Sequence, residues 1–182
     1  DTGLNERQTG RLNQLSDYCR KRGQLFVFEL LVPATKAQIA NAGGDEHVYD
    51  LRMRPGLTLA AIETLQDAGV EPDVWKIEGF DRREDCEKVI ATVRRGGRDT
   101  VNCIVLGRGA DADKVVHWLE IAGTVPGFTG FAVGRTTFWD AVKDLVEARV
   151  TRPEAVQRIA DRFGSWAAVF ERANGLAGIT DT

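Results

Sequence analysis

Apolar and polar positions along this chain alternate between two rhythms, one helical and one of period two. From Asn5 to Arg22 a polar stretch carries Leu12, Leu15 and Tyr18 at near-helical spacing and meets Gly23, which predicts an amphipathic helix with a stop behind it. Leu25 to Val32 is apolar except for Glu29 and closes at Pro33, the pattern of a strand with Val27 and Glu29 on one face. Ala34 to Pro55 is the least regular part: a short helix is expected over Thr35–Asn41, then a charged turn around Gly43, Gly44 and Asp45. Leu59, Ile62 and Leu65 predict a helix over Thr58–Ala68, with Thr58 as N-cap and Gly69 just past its end.

Asp73 to Gly79 reads as a short strand entered after Pro72, with Trp75 and Ile77 on one face and Val74, Lys76 and Glu78 on the other. Asp81-Arg82-Arg83-Glu84 has the form of a capping box opening a helix with Val89, Ile90 and Val93 inward and Gly96-Gly97 at its end. Val101–Leu106 is nearly all apolar, as expected of a parallel strand covered on both faces, and runs into Gly107-Arg108-Gly109. A helix over Asp113–Ile121 follows, then a strand over Phe128–Val133 that runs into Gly134-Arg135-Thr136. Phe138–Ala148 and Arg152–Arg172 read as helices, the second opened by Thr151, Pro153 and Glu154. Trp139, Phe163, Trp166 and Phe170 are assigned to the core, and the tail from Asn174 onward is expected to fray.

A strand followed by a helical pattern, four times over, is the signature of parallel βαβ units, so the fold class is α/β. The expected architecture is the C-terminal half of a TIM (β/α)8 barrel, since a closed barrel takes about 250 residues; an open four-stranded sheet is the alternative. On the half-barrel reading the chain is one domain, with a leading helix over 1–24, four β/α units over 25–140 and C-terminal helices over 141–182. Four strands cannot close alone, so an amino-terminal half or a partner chain is expected to complete the sheet, and the chain opens on Asp1 rather than Met, as a piece of a longer polypeptide would.

Composition narrows the setting. At 43% hydrophobic and 28% charged, with a formal net charge of -3, the chain is expected to be a soluble globular protein with no membrane span and no global attraction to nucleic acid. Three widely spaced cysteines, Cys19, Cys86 and Cys103, suit a reducing cytoplasm and argue against a disulfide framework or a zinc site.

Lys76 is the leading chemical candidate, because an ammonium on a strand face must be paired or become the neutral amine that a Schiff-base nucleophile requires. Glu78, on the same strand face, is counted with Lys76 and Glu29 among the catalytic candidates, and a structural ion pair between Lys76 and Glu78 is the plainer alternative. Glu29, at the carboxyl end of its strand, is read as paired or functional. Two strands end in Gly-Arg, at Gly107-Arg108 and Gly134-Arg135, where a small residue admits an anion to the backbone and a guanidinium binds it in two places. Arg52 and Arg54 are read as loop charges more often solvated than ligand-binding, and His117 is given no role.

Phe28-Glu29-Leu30-Leu31-Val32-Pro33-Ala34-Thr35, the stretch Gly69 to Gly79, Ile104 to Gly109 and Gly130 to Thr136 together resemble the aldolase-like domain fused behind the sugar kinase in many bacterial 5-dehydro-2-deoxygluconokinases of myo-inositol catabolism. The resemblance runs over essentially this whole chain and covers only the later part of that domain. That domain is similar in turn to class I tagatose-bisphosphate aldolases. The resemblance implies a Schiff-base lysine at Lys76, an acid/base at Glu29 and a phosphate site at Gly134-Arg135, with no cofactor and no metal. It also implies a phosphorylated keto sugar acid as substrate and a fused or separate sugar kinase as partner, with a homo-oligomer an open alternative. Nothing in the chain matches the kinase's nucleotide motifs.

Overall fold

Alternation along four short strands sorts one sheet into two unlike faces. The strands are β1 (Val27–Leu30), β2 (Val74–Glu78), β3 (Asn102–Leu106) and β4 (Phe128–Ala132), and a computed structural model describes residues 2–175. The tail expected to fray lies, from residue 176 on, outside the described residues. The strands run parallel in the order β1-β2-β3-β4. On one face Trp75, Ile77, Cys103, Val105 and Phe128 are sealed under helices. Each fully buried Val, Ile or Leu there contributes about 1.5–3 kcal/mol of hydrophobic stabilisation.

Eight helices surround the sheet among the described residues: α1 (Thr2–Arg22), α2 (Lys36–Asn41), α3 (Glu46–Arg52), α4 (Arg54–Asp67), α5 (Arg83–Val93), α6 (Ala112–Gly123), α7 (Arg135–Val146) and α8 (Arg152–Ala173). Val89 and Val93 of α5, Val115 and Leu119 of α6, and Trp166 and Phe170 of α8 supply the covering layer. The result is an α/β fold of parallel β/α units. Among the described residues β1 and β4 each pair on one side only.

The second face carries Glu29, Lys76, Glu78, Ile104 and Leu106. It is partly open, with Val27 52% exposed, so the expectation that β3 is covered on both faces does not hold. Four strands do not curl far enough to bury their own inner face.

Local departures from expectation have identifiable causes. Pro55 in the first turn lets α4 begin at Arg54, and the Thr58 hydroxyl, expected to cap, sits inside the helix and donates to the Arg54 carbonyl at 2.9 Å. Arg82, not Asp81, is the N-cap of α5, with no side-chain cap, because Asp81 accepts hydrogen bonds from Trp118 Nε1 (2.8 Å) and Lys114 Nζ (2.6 Å). Trp139 and Phe163, expected in the core, are 56% and 53% exposed, while Trp166 and Phe170 are buried. The Thr151–Glu154 capping box forms as expected.

A bulge between β3 and β4 alters the pairing: Cys103 stands opposite Phe128, yet Ile104 stands opposite Gly130. The extra residue, Thr129, lets Phe128 and Phe131, three apart, both face the helices. Phe131 packs its ring 5.5 Å from Phe163 and 6.2 Å from Phe170.

Candidate functional site

The register of β1 on β2 sets Glu29 directly opposite Lys76. Neighbouring strands lie about 4.8 Å apart, so these side chains meet on the open face. Lys76 Nζ donates to Glu29 Oε2 at 2.6 Å, with the two side chains 23% and 45% exposed. The lysine's partner is therefore Glu29 rather than Glu78, and the plainer sequence alternative of a Lys76–Glu78 pair is not what forms.

Glu78, two residues along the same face, is 4% exposed and belongs to another group of charges. Its Oε2 accepts from the Val32 backbone N–H at 2.9 Å, and its Oε1 lies 3.1 Å from Arg108 Nε. The rest of the Arg108 fork is taken by two more carboxylates. Nη1 bonds both oxygens of Asp50 at 2.7 and 2.8 Å, and Nη2 bonds Glu46 at 2.6 Å. Burial alone would lower the Arg108 pKa, but Asp50, Glu78 and Glu46 outweigh it and push it up, so the guanidinium stays charged.

Glu46 and Asp50 lie one turn apart on α3, and Arg54 one further turn on at the start of α4. Arg54 is no solvated loop charge. Only 1% exposed, it bonds Asp50 at 2.9 Å and the Gly79 carbonyl at 2.8 Å, and its guanidinium carbon stands 5.0 Å from the centre of the Phe80 ring. Tyr49, fully buried on α3, donates its hydroxyl to the Val32 carbonyl at 2.8 Å. Burial and the nearby Glu78 push that phenol's pKa up, which keeps it a donor. The irregular segment after β1 is thus stitched to the carboxyl ends of β1, β2 and β3.

Arg135 opens α7, whose N-cap Gly134 offers no side-chain cap. It makes no ion pair among the described residues. Its Nη2 lies 3.1 Å from where a Cβ on Gly109 would stand, so the glycine makes room for it. Gly107 is buried, and a Cβ there would meet Val133 at 3.0 Å; it admits a neighbouring side chain rather than a ligand. Glu29, Lys76, Arg108, Gly134 and Arg135 border one open cavity of about 500 Å³. It holds an amine with a carboxylate beside it, and a free guanidinium beside an uncapped helix N-terminus, a combination suited to a carbonyl compound bearing an anionic group. Among the described residues no group of three His, Cys, Asp or Glu side chains could hold a metal ion, and no helix is long and apolar enough to cross a membrane.

Sequence reasoning singled out Glu29, Lys76, Glu78, Arg108 and Arg135 and missed Glu46, Tyr49 and Asp50. The signal available was the Glu46, Asp50, Arg54 spacing of four, one charged face across the junction of α3 and α4.

No curated protein matches this chain significantly. Residues 1–174 match a bacterial family described as "Uncharacterized protein conserved in bacteria (DUF2090)", and with nearly the whole sequence matched, the chain belongs to that family.

Proposed function

We propose that this chain carries the Schiff-base site of a class I aldolase acting on a phosphorylated keto sugar acid. The observation that supports this reading best is the Lys76–Glu29 contact of 2.6 Å on adjoining parallel strands, in one cavity with Arg135, which makes no ion pair among the described residues. The reaction that the family resemblance implies is cleavage of 2-deoxy-5-keto-D-gluconate 6-phosphate to dihydroxyacetone phosphate and malonate semialdehyde. Glu29 takes a proton from Lys76, the free amine attacks the C5 ketone, and Glu29 returns that proton to the carbinolamine hydroxyl, which leaves as water to give an iminium. Glu29 then accepts the C3 hydroxyl proton as the C3–C4 bond breaks. The bonding pair passes into the iminium as an enamine, and malonate semialdehyde leaves. Protonation at C4 and hydrolysis release dihydroxyacetone phosphate and the lysine. Arg135 and the α7 amides hold the phosphate. The open inner face is read as one half of a barrel, to be covered by further strands, and a fused or separate sugar kinase domain is the expected partner.

Trapping with borohydride and dihydroxyacetone phosphate, followed by peptide mass spectrometry on folded protein, tests the reading. A reduced adduct on Lys76, lost in Lys76→Ala, is expected; undiminished cleavage by that variant would sink the proposal. A second reading, a phosphosugar-binding module without turnover, draws on the 45% exposure of Glu29, since a site open to water protects an enamine poorly. It predicts saturable binding weakened by Arg135→Ala, with no adduct.

A further inference from the structure

We infer that Arg108 is a positioning residue: by holding Glu78 it keeps a second carboxylate away from Lys76, which shares its proton with Glu29 alone. The inference rests on the reading of Lys76 as the reacting amine. Lys76 and Glu78 are two apart on one strand and share a face, so a released Glu78 carboxylate would have the lysine as its nearest cation on β2. What prevents this is the 3.1 Å contact to Arg108 Nε, together with the Val32 N–H.

Each nitrogen of the Arg108 fork already meets a carboxylate, Glu78, Asp50 or Glu46, so an anionic ligand would have to compete with three carboxylates for it. Arg135 has no such competitor among the described residues. The backbone points the same way. Arg108 has φ 51, in the left-handed region, flanked by Gly107 and Gly109. A non-glycine residue there costs about 1 kcal/mol that a third glycine would not, so the strained position is kept for its side chain.

The charged groups bordering the cavity with Lys76 are Glu29 from β1, Arg108 from the turn after β3 and Arg135 from the start of α7, while Glu78, on the same face of β2, is held by Arg108. Glu78 itself meets Arg108 and the Val32 N–H, and lies close enough to Tyr49 to raise that phenol's pKa. Removing Arg108 releases one negative charge onto the lysine and removes one positive charge from its surroundings. Both changes favour the ammonium over the amine.

The test uses Arg108→Gly, which suits the φ of 51 and removes the guanidinium, alone and with Glu78→Gln. Two readouts are taken against pH: borohydride trapping with dihydroxyacetone phosphate, and acylation of Lys76 by acetic anhydride without ligand, each quantified by peptide mass spectrometry. In Arg108→Gly both rates near neutral pH are expected to fall about tenfold, with the profile displaced to higher pH. Adding Glu78→Gln is expected to recover most of the loss. A double variant as slow as Arg108→Gly overturns the inference and returns Arg108 to a ligand or a purely structural role. Acylation requires no aldolase activity, so a wild-type chain that never traps an adduct defeats the aldolase reading while the acylation profiles still decide this one. If Arg108→Gly melts below the assay temperature, Arg108→Lys replaces it. A single ammonium cannot hold all three carboxylates, so a smaller loss relieved by Glu78→Gln is expected, and no relief overturns the inference.

Discussion

Gly79 closes the lysine strand, and replacing it with Ala probes how tightly the strand end is packed. A Cβ built there would lie 2.3 Å from both Cγ and Cδ2 of Trp118 and 2.6 Å from its Cβ, where ordinary contact begins at 3.4 Å. The indole must retreat by roughly 1 Å, and because Trp118 Cβ is among the atoms struck, turning the ring does not clear the clash; α6 itself must move. Trp118 cannot yield freely. It is 2% exposed within the core, and its Nε1 is tied to Asp81. Overpacking of this kind costs about 3 kcal/mol, at the upper end of the usual range. For a chain of this length each kcal/mol lowers Tm by about 2–4 °C, so a fall of roughly 6–12 °C is expected. Urea denaturation followed by tryptophan fluorescence measures it, since Trp75, Trp118 and Trp166 are all buried. Pairing Gly79→Ala with Trp118→Leu should cost less than the two single changes together. A single variant within about 0.5 kcal/mol of wild type, or strictly additive costs, would refute the steric argument.

Asp81→Asn is expected to cost about 1–3 kcal/mol at neutral pH, by weakening the charge-assisted bonds to Lys114 and Trp118. Burial raises the Asp81 pKa, but those bonds outweigh it and hold the carboxyl below its usual range. Its contribution is therefore full above the unfolded pKa, about 4, and is lost as pH falls through the lower folded value; chemical denaturation from pH 7 to 3 should show the variant converging on wild type, and a constant gap would contradict this. Burial, with Asp85 and Glu87 adding, pushes the Cys86 thiol up to about 12, and burial pushes Cys103 higher still. Iodoacetamide at pH 8 should therefore modify Cys19 in the folded protein and the other two only in denaturant; equal labelling of all three would show that the core opens.

Period-two alternation was enough to put Lys76 opposite the helix-packed face, because Trp75 and Ile77 leave it nowhere else to go. It was not enough to choose the lysine's partner. Glu78 is nearer in sequence, but Glu29 is nearer in space, and the choice depends on strand register and on Arg108, neither of which a single strand encodes. Arg108 read as an anion ligand for the same reason: its three carboxylates come from two distant segments, Glu78 on β2 and the other two on α3, a seven-residue helix that the reading of this irregular stretch did not include. Trp139 and Phe163 were misplaced because helical periodicity reports an apolar stripe without reporting whether a neighbour covers it.

The extra residue at Thr129 has a consequence for how this architecture tolerates change. Side chains on a strand are dealt to alternate sides, and the unpaired Thr129 absorbs one count, so the residues after it keep the sides set by their partners on β3. Deleting Thr129 would restore unbroken alternation, with Phe131 two places after Phe128 and still toward the helices, and would remove the bend by which the bulge turns the chain toward Gly134 and Arg135. β4 can thus lose one residue here without reversing its faces, and what the bulge contributes is the direction of the chain rather than the side each residue takes.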